Sequence, residues 1–175
     1  MRKPQRPARV KLLAGILYND KQLYCSARRS LERMFGRIDY ESPECKFVYT
    51  DYYEPEMGSA LLRRFLSFEW LVQLEGIYKV KVKTNGLETR LSVRDKRRVN
   101  IDPGYMDLAK FVLFSTKDYA HRIYLGKGIY AENTLYYKDK AFRAWPWTYP
   151  DYRTNEYADM LDSIRRLYKE RVRPS

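Results

Sequence analysis

Residues 10–36 read VKLLAGILYNDKQLYCSARRSLERMFG, and the change of rhythm within them decides the fold class. Val10 to Tyr18 is apolar on both faces, the pattern of a strand covered from two sides. Asn19 then stands three residues before Gln22, the spacing of a helix N-cap and capping box. Leu23, Tyr24, Ala27, Leu31, Met34 and Phe35 recur at helical spacing as far as Gly36, a helix stop. The reading is a central strand followed directly by a helix packed on it, with Cys25 on the helix's buried face.

The pattern continues towards the C-terminus. Ile38 to Tyr53 is extended and broken near Ser42 and Pro43, and Leu61 to Trp70 is a strand. Tyr78, Val80 and Val82 alternate with Lys79, Lys81 and Lys83, which predicts a one-sided strand with its lysines in water. TNGLE at 84–88 fits either an Asn85-Gly86 hairpin or a short helix capped by Asn85. Arg97 to Ile101 is extended, DPG at 102–104 reads as a turn, and Phe111 to Ser115 is a strand. Residues 121–125, 129–137 and 141–145 are antiparallel strands joined by Gly126-Lys127-Gly128 and Lys138-Asp139-Lys140 turns. Tyr157, Met160, Leu161, Ile164, Leu167 and Tyr168 mark a C-terminal amphipathic helix. The sum is one α+β domain over 10–172: a mainly antiparallel sheet with an N-terminal strand–helix unit and a C-terminal helix packed on it.

Composition agrees with this. At 175 residues and 45% hydrophobic, the chain can bury one core without staples. Its longest apolar run, Leu12 to Tyr18, is far short of the roughly 20 residues of a membrane-spanning helix, and Met1 leads into Arg, Lys and Pro rather than a signal-peptide core. The expected location is the cytoplasm, away from membranes. Cys25 and Cys45 are the only cysteines and His121 the only histidine, so a disulfide framework, a zinc ribbon and an HExxH site are all excluded. The net charge of +12 sits mostly at the ends: residues 1–11 carry five cations and no acid, and residues 161–175 add a net +3. Residues 1–9 read as a basic flexible leader. Salt-sensitive, sequence-blind contact with nucleic acid through the basic termini is one consequence of such charge.

Several motifs are tested by their spacing. LGKG at 125–128 lacks both the upstream glycine of a P-loop and the Ser or Thr after its lysine. A Gly126-Lys127-Gly128 turn still offers backbone N–H groups and an ammonium to an anion. KGIYAENTLY lacks the stacking aromatics of an RNA-recognition core. A divalent metal such as magnesium can draw on Asp51, Glu54, Glu56, Asp102 and Glu132. WPWTYPDY at 145–152 either packs across a sheet edge or walls a purine or sugar ring.

Residues 100–132 collect Asn100, Asp102, Lys117, Asp118, His121, Arg122, Lys127 and Glu132 around strand ends, where scaffolds present functional side chains. A lone histidine near acids suits acid/base work near neutral pH. The plain alternative is that Asp102 caps a turn, Asp118 and Arg122 form an i,i+4 surface pair, and His121 packs beside a tyrosine.

RRVNIDPGY (97–105), TKDYAHRIYLGKGIYAE (116–132) and PWTYPDYR (146–153), with VKLLAGILY and TDYYEPEMGS (50–59), resemble the bacterial family catalogued as domain of unknown function 4416 over nearly the whole chain after the leader. Some members carry the label GTP-binding protein. Without a P-loop or an NKxD guanine-reading motif, that label is not carried over to this chain. The resemblance favours the helix at TNGLE. It implies a polar site at turns, since the matching motif residues include Asp51, Glu56, Asn100, Asp102, Lys117, Asp118, His121, Arg122, Lys127 and Glu132.

The expectation is therefore a pocket for a small anionic ligand, a nucleotide or phosphorylated metabolite. His121 would be its acid/base beside Lys117 and Asp118, with Asp102 and Glu132 holding a metal or orienting His121. Arg122 and Lys127, with Gly126 and Gly128, would hold phosphate, and Asn100, Tyr105, Asp51 and Glu56 would complete the ligand contacts. The alternatives are a nucleic-acid or ribonucleoprotein accessory module acting through basic termini and a non-catalytic structural adaptor.

Overall fold

The computed structural model describes residues 3–172; Arg2 and Arg173, two cations of the basic ends, lie outside them. Val10–Tyr18 forms β1, buried at all nine positions. The helix α1 (Lys21–Phe35) is capped by Asp20 and not by Asn19: the Asp20 carboxylate accepts from the backbone N–H groups of Gln22 and Leu23. The Asn19 amide instead donates to the Met57 carbonyl. Both residue types are good caps, so only the neighbours decide between them. Tyr24, Ala27 and Leu31 form the buried face of α1. Cys25 is exposed, against expectation, because a residue next to Tyr24 is turned about 100° away from it on a helix.

The broken extended segment becomes β2 (Ile38–Glu41) and β3 (Cys45–Lys46), followed by a single helical turn α2 (Glu54–Met57) and the long strand β4 (Leu62–Val72). The alternating lysine segment is not a strand. It opens α3 (Tyr78–Arg90), whose buried residues Val80, Lys81, Thr84 and Leu87 follow helical spacing, and Asn85 lies inside that helix rather than at its cap. The alternation misleads because Lys81 is not in water: it is buried, and its Nζ donates to the Ile101 carbonyl at 2.8 Å.

Next come β5 (Val99–Met106), β6 (Lys110–Ser115), β7 (Arg122–Gly126), β8 (Ile129–Lys138) and β9 (Ala141–Ala144), then a 3-10 turn at Pro150–Arg153 and α4 (Asn155–Arg171). The strands form one antiparallel sheet ordered β2-β4-β1-β5-β6-β8-β7, with β3 beside β4 and β9 beside β8. Leu12, Ala14 and Ile16 of β1 join Leu31 of α1 and Leu87 of α3 in one core. Leu13 joins Leu161 and Ile164 of α4 in another. Helices on both faces explain why β1 is apolar at every position but Lys11, whose buried ammonium donates to Asp39 and the Phe68 carbonyl. The chain is a single α+β domain, and no helix among the described residues is long and apolar enough to cross a membrane.

The DPG segment corrects the sequence reading and positions the site. It is no turn: β5 runs straight through it and pairs with β1 from Val99 to Met106. On the other side β5 meets β6 only at Gly104–Met106. Pro103 has no N–H to give a ladder, and Gly104 approaches β6 so closely that a Cβ there would lie 2.2 Å from the Val112 carbonyl oxygen. Before Pro103 the outer edge of Ile101 is met by side chains of α3. Lys81 donates to its carbonyl and its N–H donates to the Glu88 carboxylate. On the Val99–Asp102 side of Pro103 the two strands part, and a wedge opens between them.

Candidate functional site

A cleft of about 470 Å³ occupies this wedge. Asn100 and Asp102 of β5 face it from one side, Leu113, Phe114 and Ser115 of β6 from the other, and Tyr49, Tyr52, Tyr53 and the Tyr149–Tyr152 segment complete it.

Arg63 of β4 lies at its floor, 2% exposed. It crosses β1 at Gly15, where a Cβ would sit 2.7 Å from its Nη1, so the missing side chain is the groove that admits the guanidinium. Its Nη1 donates to Asp102 at 3.2 Å, its Nη2 lies 3.8 Å from Asp151, and its Cζ is 5.1 Å from the centre of the Phe47 ring. Burial works against the Arg63 charge, but the carboxylates of Asp102 and Asp151 beside it outweigh that and hold the guanidinium protonated. Burial pushes the Asp151 carboxyl up, despite the pull of Arg63 and with the help of nearby Asp102. Asp102 is positioned by a relay: Arg97 Nη1 donates to Asn100 Oδ1 at 2.7 Å, and Asn100 Nδ2 donates to Asp102 Oδ2 at 2.9 Å.

The second cluster forms a side wall. Glu132 of β8 is buried, accepts from Arg122 Nε at 2.8 Å and lies 3.1 Å from His121 Nε2. Arg122 also donates to Ser115 Oγ, the Lys117 carbonyl and the Tyr149 hydroxyl. Its donors are spent inside the protein, so it braces the wall. The His121 ring lies nearly parallel to those of Tyr119 and Trp147, at 6.0 and 5.3 Å, and Trp147 stacks on Trp145 at 5.2 Å. Tyr52, Tyr119 and Tyr149 stay half-exposed around the mouth. Lys117 Nζ stands 4.4 Å from the Tyr52 ring centre and 3.2 Å from its hydroxyl.

Of the residues expected from the sequence, Asn100, Asp102, Lys117, Arg122 and Glu132 line the cleft, and His121 reaches it through Glu132. The others do not line it. Asp118 is exposed and leaves Arg122 to Glu132. Tyr105 packs on Phe114 within the core beneath α1 and α3. Gly126, Lys127 and Gly128 form the β7–β8 hairpin turn, with Lys127 in the left-handed region and Gly126 against the Tyr78 ring, so Lys127 does not join Arg122 in a phosphate site. Asp51 lies with Glu54 beside a neighbouring hollow, and Glu56 accepts from Arg97 Nε at 3.0 Å. The carboxylates considered for a metal are thus scattered, and no three His, Cys, Asp or Glu side chains among the described residues converge on a cation site.

Tyr149 and Tyr152 of the aromatic stretch 145–152 line the cleft, as the ring-wall reading of that stretch expects, whereas Arg63, Lys81, Arg97 and Asp151 belong to the site and were not read from the sequence as its members. One signal was available. A lone glycine in an apolar strand marks a close approach, and Gly15 is such a residue.

No curated protein and no solved structure matches the chain. The model of one family, described as domain of unknown function (DUF4416), matches residues 8–168. That span runs from just before β1 almost to the end of α4 and includes every residue lining the cleft, so the chain belongs to the DUF4416 family.

Proposed function

We propose that the cleft binds a small anionic ligand, a nucleotide or phosphorylated metabolite. The observation that carries this is the mouth. Lys117 is exposed there and, among the described residues, makes its contacts with the hydroxyl and ring of Tyr52 and with no carboxylate. Half-exposed tyrosine rings surround it. Arg63, Lys81, Arg97, Lys117 and Arg122 line the cleft against the carboxylates Asp102, Glu132 and Asp151, so the cations are in excess. An ammonium beside ring faces suits a phosphate attached to a planar or sugar group. The group that a bound ligand's proton meets first is Asp102, whose side chain is 26% exposed at the floor.

The test is a thermal-shift screen of the full chain against nucleotides, sugar phosphates and dicarboxylates, followed by calorimetry. A ligand that binds only the native state stabilises it by about 2.7 kcal/mol at a hundredfold excess over Kd. Lys117→Ala, at an exposed position, should weaken binding about tenfold, or about 1.4 kcal/mol, without moving Tm. An unshifted Tm across the panel rejects the reading.

A further inference from the structure

The floor of the cleft differs chemically from its mouth. Asp102 and Asp151 share Arg63, at 3.2 and 3.8 Å, so the three formal charges sum to a negative value when both acids are ionised, and a phosphate is not drawn there. What the floor offers is unused hydrogen-bonding capacity. Among the described residues, the Tyr152 hydroxyl and Arg63 Nε are buried without a partner. Both side chains line the cleft and are more than nine-tenths buried. They are neighbours, because a Cβ on Gly15 would lie 2.7 Å from Arg63 Nη1 and 3.4 Å from the Tyr152 hydroxyl oxygen. On the acceptor side, Asp102 Oδ2 takes the bonds from Arg63 and Asn100, leaving its other oxygen available.

We infer that this floor reads hydroxyl groups, so that the ligand is a phosphorylated polyol, a sugar phosphate or nucleotide, seated with its sugar inward and its phosphate at Lys117. The inference rests on the anionic-ligand reading and narrows it. A floor that mixes carboxylate acceptors with hydroxyl and guanidinium donors is matched by a group that both gives and accepts hydrogen bonds. The dianionic phosphate group of an ester only accepts and ammonium only donates, whereas a sugar hydroxyl does both. An unpartnered buried donor has given up its water without a replacement, so its occupation by a ligand hydroxyl is favoured. Burial keeps the Tyr152 hydroxyl protonated, and so able to donate.

Calorimetric titration of the full chain with ribose 5-phosphate, adenosine 5′-phosphate, inorganic phosphate and phosphoethanolamine tests this. At least one of the two ribose phosphates should bind about tenfold or more tighter than inorganic phosphate, with phosphoethanolamine no tighter than inorganic phosphate. Tyr152→Phe should erase that preference while inorganic phosphate affinity stays and Tm is unchanged or higher, since the variant removes an unpartnered hydroxyl. Equal affinity for all four probes, or a preference that survives Tyr152→Phe, overturns the inference and leaves the anionic-ligand reading standing. Tighter binding of phosphoethanolamine overturns it in favour of an ammonium site. No binding by any probe removes both.

Discussion

Two buried guanidinium groups line the same cleft, and they are finished differently. Arg122 and Glu132 have side chains 3% and 2% exposed, and between them they bond Ser115, Thr134, Tyr149 and a backbone carbonyl. Arg63 is equally buried, yet among the described residues its Nε and the adjacent Tyr152 hydroxyl lack partners, and one of its carboxylates, Asp102, is open to the cleft. A buried charge whose partners are complete holds structure together. One left incomplete beside a cavity has hydrogen-bonding capacity to spare, and on the proposed reading a ligand takes it up. Arg122, which the sequence presented as a phosphate ligand, is spent on partners within the protein, and Arg63 is the one that the proposal sets against the ligand.

Variants can break this contrast, and the largest effect should come from the wall. Glu132→Ala leaves Arg122 buried and uncompensated, which should cost about 3–5 kcal/mol of stability in urea unfolding. Full stability with lost ligand binding would reverse the assignment of the two arginines. Gly15→Ala sharpens the other side. Its Cβ would meet Arg63 Nη1 at 2.7 Å and the Phe65 ring at 3.2 Å, so Arg63 must move. The expected cost is about 1–3 kcal/mol, with ligand affinity falling by more than that loss of stability accounts for. Unchanged affinity would show that Arg63 need not cross β1 at this point.

The smallest effect concerns Asp151. Its carboxyl is raised in the folded chain, by burial first and then by Asp102, against the pull of Arg63. The folded state therefore holds this proton more tightly than the unfolded chain, where the value is 3.8. Its contribution is fully present below 3.8 and is lost as pH rises through the folded value. Asp151→Asn should be slightly more stable than the parent at neutral pH, with the difference closing as pH falls through the raised folded value and gone below 3.8. Urea midpoints across that range decide it. A variant less stable at neutral pH would show that the Arg63 attraction dominates.

Part of this was legible in the sequence. The apolarity of both faces of Val10–Tyr18, broken only at Lys11, announced a strand covered on both faces, and Asn100, Asp102, Lys117, Arg122 and Glu132 were singled out and do gather at one cleft. Two failures share a cause. Lys79, Lys81 and Lys83 looked like the wet side of a strand, but Lys81 is sequestered by the Ile101 carbonyl, a partner 20 residues away. DPG looked like a turn because its residues favour turns locally. Its role as the point where β5 and β6 separate depends on Val112, which only tertiary pairing brings beside Gly104.

Sequence by itself determined the α+β class, the central place of β1 and the two amphipathic helices α1 and α4. These follow from apolar periodicity, which a chain expresses within a few neighbouring residues. Only the tertiary structure decided that Arg63 of β4, Asp102 of β5 and the Asp151–Tyr152 pair of the 3-10 turn form one floor. Their meeting depends on strand order, on the groove at Gly15 and on the desolvation of a charge with its partners, and none of these is a property of any short segment.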